Sequence, residues 1–200
     1  MPAMHMPVRR SPSFIRTGQV IERQSQQLDR IYRLARELCP DGFPAEETRE
    51  LPALYAHVPL GLVDALGDEI ADKLGLERAI LSRDRFSIHG CGPVGLHDDF
   101  FPFPHVYFVV IVAHSGDLGL VDEHSRAARH AVGEIILLDP RRKHGLVLEG
   151  CTAEDHAYER THAPVHDPAQ QFLFLDFDVR RADLRARFRA PVTSKTNSQD

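Results

Sequence analysis

The chain has 200 residues, 42% of them hydrophobic and 26% charged, with a formal net charge of −5. That composition excludes collagen-like, coiled-coil and wholly disordered chains, and the length suits one domain that buries roughly 70% of its unfolded surface. The acidic balance argues against nucleic acid as a bulk electrostatic partner, and no apolar run approaches the ~18 residues of a membrane-spanning helix.

Cys39, Cys91 and Cys151 are odd in number and irregularly spaced, so they read as reduced thiols. The opening stretch breaks at Pro2 and Pro7 and carries no apolar signal core. Together these features predict a cytoplasmic protein. The twelve histidines stand out from an otherwise ordinary composition, and histidine is the commonest metal ligand.

In chain order, residues 1–17 read as a flexible basic arm and 18–78 as a helical region packed on the core. Within it, Ile21, Leu28, Ile31, Leu34, Ala35 and Leu38 share one helix face, which Pro40 and Asp41-Gly42 end. Val63, Leu66, Ile70 and Leu74 predict a second helix with Gly75 as its stop. Residues 79–189 read as the β core. Strands are expected at Ile80–Ile88, His105–Ala113, Leu118–Val121, Ala127–Val132, Glu134–Leu138, Gly145–Leu148 and Gln171–Val179. Residues 149–169 form a long polar loop of the kind that serves as a lid or binding element. Residues 190–200 read as a disordered tail. Helices followed by short strands predict a mainly β fold, a double-stranded β-helix (a cupin-like jelly roll) with helices packed on it.

Metal-type ligands interrupt the strands at two places. His97 and Asp99 sit at i and i+2 after a glycine-rich turn, on one side of an extended segment, while Asp98 points the other way. His144 opens the strand after Pro140. Two histidines and a carboxylate make a facial triad with open positions, suited to non-haem Fe(II). The other ligand-rich stretch, Cys151, His156, His162 and His166, lacks the paired spacing of a structural zinc site and reads as a histidine-bearing lid. No phosphate loop and no G-x-S-x-G elbow is present.

The His-x-Asp pair, the apolar strand after it, Gly133-Glu134 opening a later strand and His144 beyond it resemble the iron(II)/2-oxoglutarate-dependent dioxygenases. Phe86-Ser87-Ile88-His89-Gly90 ahead of His97 makes the resemblance greatest to the prolyl-hydroxylase-like branch. The resemblance covers about residues 80–179. It implies Fe(II) on His97, Asp99 and His144, 2-oxoglutarate as cosubstrate, and hydroxylation of a small molecule or peptide side chain with release of succinate and CO2. Members halogenating their substrates lack the carboxylate, so Asp99 points to hydroxylation.

The family also uses an arginine or lysine after the distal histidine to hold the far carboxylate of 2-oxoglutarate, and here that stretch reads Glu149-Gly150-Cys151-Thr152-Ala153-Glu154. Arg160 and Arg126 are the candidate anchors, with the Tyr107 hydroxyl as a further contact. Gly133–His144 is also similar to the second cupin motif, which leaves open a metalloprotein that does not use 2-oxoglutarate. A binding module without turnover is the third reading. The expected partners are a small-molecule or peptide substrate, with no nucleic acid and no membrane, and the N-terminal helix offers a homodimer face.

Overall fold

A computed structural model describes residues 12–99, 106–159, 170–180 and 184. Its elements in chain order are β1 (Phe14–Val20), α1 (Ser25–Leu38), β2 (Arg49–Glu50), α2 (Pro52–Tyr55), α3 (Leu60–Leu74), β3 (Phe86–Cys91), β4 (Val94–His97), β5 (Val106–His114), β6 (Leu118–Val121), β7 (Glu134–Leu138), β8 (His144–Leu148), α4 (Ala153–Glu159) and β9 (Phe172–Arg180).

The strands make two antiparallel sheets, a large one ordered β1-β7-β5-β9-β3-β2 and a small one ordered β4-β8-β6. From β3 to β9 the chain alternates between the two, while β1 and β2 both belong to the large sheet. The fold is therefore mainly β with few helices.

Alternation along the central strands divides the interior into two cores. On one face of the large sheet, Val109, Ile111, Leu173, Leu175 and Phe177 pack with Leu28 and Ile31 of α1 and with Leu66 and Ile70 of α3. On the other face, Val110, Val112, Ile136 and Phe172 meet Leu118 and Leu146 of the small sheet. The order of layers is helices, large sheet, small sheet. α3 presents the apolar stripe expected and ends on Gly75, whereas α1 begins only at Ser25, which leaves Ile21 ahead of it, and buries Leu28, Ile31 and Ala35 with Leu38 exposed.

Three expectations need correction. Residues 14–20 belong neither to an arm nor to a helix: they form β1, the edge strand paired with β7. Gly18 has φ of +72°, where the register slips between Arg16 and Val20, so this glycine serves a β-bulge. The strand expected at 80–88 begins instead at Phe86, after short 3-10 turns at Arg78–Ile80 and Arg83–Arg85. Residues 127–132 are not a strand. Their polar groups engage locally: the Leu120 N–H donates to His130 Nε2 at 3.1 Å, and the Ala131 N–H to Glu134 Oε2 at 3.1 Å.

The 149–169 stretch is not all loop, since α4 occupies its first part; residues 160–169 lie outside the described residues, as do the 1–11 arm and the 190–200 tail. Among the described residues no helix is long and apolar enough to cross a membrane.

Candidate metal centre

The site is built on the small sheet. His97, at the end of β4, is the direct cross-strand partner of His144 at the start of β8, and their ring centroids are 4.5 Å apart. Gly145 permits that closeness, because a Cβ there would lie 2.9 Å from the Val94 carbonyl oxygen. Asp99 lies just past β4. Its N–H donates to the Pro140 carbonyl at 2.6 Å, fastening the segment to the turn that leads into β8. The Asp99 carboxylate then faces both rings, with Oδ1 3.9 Å from His97 Nε2 and Oδ2 3.5 Å from His144 Nε2.

Both imidazoles are oriented by backbone. His97 Nδ1 is 2.9 Å from the Gly95 carbonyl oxygen and His144 Nδ1 is 2.8 Å from that of Arg142. A carbonyl only accepts, so each Nδ1 donates its proton and each Nε2 keeps its lone pair toward Asp99. Burial pushes the His144 pKa down and nearby His97 adds to this, against the opposing carbonyl contact, which favours the neutral ligand form. The three ligand atoms lie within 4.8 Å of one another, and this is the one such group among the described residues. The donor set fits a divalent metal, with the histidine tautomers already fixed by a second layer of contacts.

His97, Asp99 and His144 open onto a cavity of about 400 Å³ between the sheets, within the range of small-molecule sites. Its walls are apolar over Phe108, Val110, Leu138, Leu146, Phe172 and Phe174. On the large sheet Ser87 and His89 of β3 and Asp176 and Asp178 of β9 also face it, with Glu50 of β2. His89 Nδ1 lies 2.9 Å from Asp176 Oδ2. Burial pushes the Cys91 thiol up to about 12, so that residue is wall rather than nucleophile. On the other side, His97 and Asp99 border an outer cleft beside Glu46 and His156, which are 2.9 Å apart through Glu46 Oε1 and His156 Nε2.

The three metal-ligand candidates are thus brought together, and of the cosubstrate candidates Tyr107 and Arg126 are not. Tyr107 points to the helix-side core, on the face of β5 opposite to cavity-lining Phe108 and Val110, and its hydroxyl accepts from Arg141 Nη2 at 3.3 Å. Arg126 is 70% exposed and donates to the Gly150 carbonyl, away from the cavity. Arg160 lies outside the described residues, as do His162, His166 and His105.

His130, expected at the surface, is buried beside Glu134. Asp98 is exposed, as alternation requires. Arg141 and Arg142 pair with the buried Asp139 rather than standing free in a turn. The acidic residues of β9 escaped the sequence reading, although Asp176 and Asp178 continue the i, i+2 face begun by Phe172 and Phe174.

Fold and site together define a mainly β protein of two antiparallel sheets with a His-Asp-His group able to hold a metal. No protein-family model matches the chain, and no curated protein matches it. A solved structure described as an "Oxidoreductase, 2OG-Fe(II) oxygenase family" from Burkholderia pseudomallei is similar at 14% identity, over 76% of this chain and 80% of that one, with a TM-score of 0.37. At that score the chemistry has to be read from the residues themselves.

Proposed function

We propose that the protein is a non-haem Fe(II)-dependent oxygenase acting on a small molecule, with the metal on His97, Asp99 and His144; where no 2-oxoglutarate binds, the substrate itself would supply the electrons and take up both oxygen atoms. The observation that carries this is the convergence of two Nδ1-anchored imidazoles and one carboxylate at the edge of an apolar inter-sheet cavity. Fe(II) bound by such a triad keeps open positions at which it supplies activation of dioxygen. The chain's own part is to hold both Nε2 lone pairs toward the metal, to balance its charge with Asp99, and to enclose the reacting molecule between Phe108, Phe172 and Phe174. The alternation of β3 to β9 between sheets supports a double-stranded β-helix as the framework. The prolyl-hydroxylase-like branch has the motif resemblance alone as its support.

For 2-oxoglutarate the described residues do not fit. A five-carbon dianion needs a cation or several donors at its far carboxylate, and no lysine or arginine lines the cavity among the described residues. This lining favours the second reading, a cupin-type metal centre that works without 2-oxoglutarate.

The test is anaerobic titration of the metal-free protein with Fe(II), followed by addition of 2-oxoglutarate. One Fe(II) per chain is expected for the wild type and none for Asp99→Ala. Equal iron binding by the two proteins would sink the triad assignment. No charge-transfer band is expected on adding 2-oxoglutarate. Its appearance, with succinate on admitting oxygen, would establish the 2-oxoglutarate-dependent reading and place the anchoring cation outside the described residues.

A further inference from the structure

We infer that the inter-sheet cavity takes its organic ligand with a cationic end, an alkylammonium or similar group, seated against Asp178 and Asp176, and not the dicarboxylate that the family resemblance implies. The inference deepens the oxygenase reading, since it concerns the cavity onto which His97, Asp99 and His144 open, but its physical basis is separate from the metal.

That basis is the charge of a cavity already marked as a ligand site by its size, its apolar walls and its triad. The chain contains 24 lysines and arginines, yet none lines this cavity or the outer cleft among the described residues. Four carboxylates line the cavity: Glu50, Asp99, Asp176 and Asp178. Asp99 is committed to the metal and Asp176 is answered by His89. Glu50 accepts from the Tyr55 hydroxyl at 2.8 Å, a neutral partner that leaves its charge in place.

Asp178 has no such partner among the lining residues. Arg85, preceding β3, and His89 of the lining act on it only through space, without a hydrogen bond, and burial with the neighbouring Asp176 still pushes its carboxyl up to about 6. Carboxylates drawn toward neutrality by their surroundings gain most from an incoming cation. A second negative group brought to the same wall would meet repulsion in a partly desolvated space.

The arrangement also sets a direction for the ligand. Asp176 and Asp178 stand on the large sheet with the apolar side chains Phe172, Phe174 and Val110, and the candidate metal ligands border the same cavity from β4 and β8 of the small sheet. A molecule with an ammonium head and an aliphatic body would satisfy both ends of this lining. Its body would then lie along the aromatic wall toward the metal.

The test uses the full chain and three probes of similar length: hexylammonium, the neutral isostere 1-hexanol, and glutarate. Binding is measured by calorimetry on metal-free and Co(II)-loaded protein. Hexylammonium is expected to bind at least tenfold more tightly than 1-hexanol, with glutarate weaker than both. Asp178→Asn is expected to reduce the ammonium-over-alcohol preference by about tenfold while leaving alcohol binding in place, which shows that the variant is folded.

Glutarate binding as tightly as hexylammonium, or an ammonium preference unchanged in Asp178→Asn, would overturn the inference. The visible spectrum of bound Co(II) reports the triad separately. Absence of an ammonium preference in the wild type with Co(II) bound at the triad refutes this inference alone, and an ammonium preference without metal binding at the triad refutes the oxygenase reading alone.

Discussion

At the scale of single residues, the candidate metal centre is shaped by groups outside its His-Asp-His set. Glu46 is the one non-glycine residue with positive φ among the described residues, at +61°. Its Oε2 accepts the Gly95 N–H at 3.2 Å, and the Gly95 carbonyl in turn accepts from His97 Nδ1. The strained backbone of Glu46 is thus spent on fixing the peptide that orients a metal-ligand candidate. Glu46→Gly removes the carboxylate and relieves the strain together. It is expected to weaken Co(II) or Zn(II) binding by about tenfold with little change in unfolding temperature. Glu46→Gln, which keeps an acceptor for Gly95, should recover most of the affinity. Metal titration of the two variants beside the wild type checks this, and equal affinities throughout would remove Glu46 from the site.

At the scale of elements, β1 is tied to the sheet by charge as well as by its ladder. Arg16 Nη2 lies 2.7 Å from Glu134 Oε2, and His130 Nδ1 lies 3.2 Å from the same oxygen. Because His130 Nε2 already accepts from Leu120, its proton sits on Nδ1 and is donated to Glu134. Burial alone would raise the Glu134 pKa, but the hydrogen bonds from His130 and Arg16 outweigh it and hold the carboxyl down at about 2. A depressed carboxylate pKa contributes stability that is complete above the ordinary value near 4.5 and lost as the pH falls toward 2. Glu134→Gln is therefore expected to destabilise the protein at pH 7 by about 3 kcal/mol, with the gap to wild type narrowing between pH 4.5 and 2. Urea unfolding across that range measures it, and a gap independent of pH would show that packing, not charge, holds β1.

The same comparison of local and distant causes explains what the sequence allowed to be read. The second helix, β7 and β9 follow from patterns that lie within a few residues, and His97 with Asp99 follows from i, i+2 geometry alone. β1 does not, because its partner Glu134 is more than a hundred residues away and Arg16 and Thr17 look like solvent-facing arm. Residues 127–132 pair with no strand, because their polar groups are taken elsewhere: the Ala127 N–H donates to the Cys151 carbonyl, the Ala131 N–H to Glu134, and His130 Nε2 accepts from Leu120. Tyr107 was assigned to the cavity without a register. The next position along β5, Phe108, lines the cavity, whereas Tyr107 faces the helices.

Asp178 brings function and stability into opposition on one strand. Its carboxyl, pushed up to about 6 by burial and by Asp176, makes the folded state less stable as the pH rises from the ordinary value near 4 through 6. Below pH 4 the side chain is neutral in both states and the penalty is absent. Asp178→Asn should gain about 1 kcal/mol at pH 7, allowing for solvent screening of a half-buried group, and nothing at pH 4. Thermal unfolding at the two pH values decides it. A gain of the same size at both would trace to packing, and no gain at either would mean the carboxylate is already compensated. A stabilising substitution that weakens ligand binding is the pattern expected of a functional residue.

At the scale of the whole molecule, α1 and α3 cover the outer face of the large sheet, α4 lies against β4 and β8, and the small sheet carries the candidate metal ligands where β4 ends and β8 begins. The small sheet has three strands, of which β4 and β6 have four residues each, against nine in β5 and in β9. Its hold on the rest of the protein is the inter-sheet core, and that core is hollowed by the ligand cavity. A divalent metal on His97, Asp99 and His144 would join β4 to β8 across the point where their register slips, between Val94 and His97. Ligands that bind only the folded state stabilise it by mass action, about 2.7 kcal/mol at a hundredfold excess over the dissociation constant. For a chain of this size that corresponds to a rise of roughly 5–10 °C in unfolding temperature. The metal-bound protein is therefore expected to melt that much higher than the metal-free one. Protection against amide exchange should appear first in β4 and β8, the strands carrying His97 and His144, and only afterwards in β5 and β9. Asp99→Ala should melt close to the metal-free wild type and gain nothing from added metal. Calorimetry with exchange mass spectrometry on the same samples makes the comparison. A metal-induced rise that persists in Asp99→Ala, or protection spread evenly over both sheets, would mean that the ion stabilises the fold from somewhere other than this site.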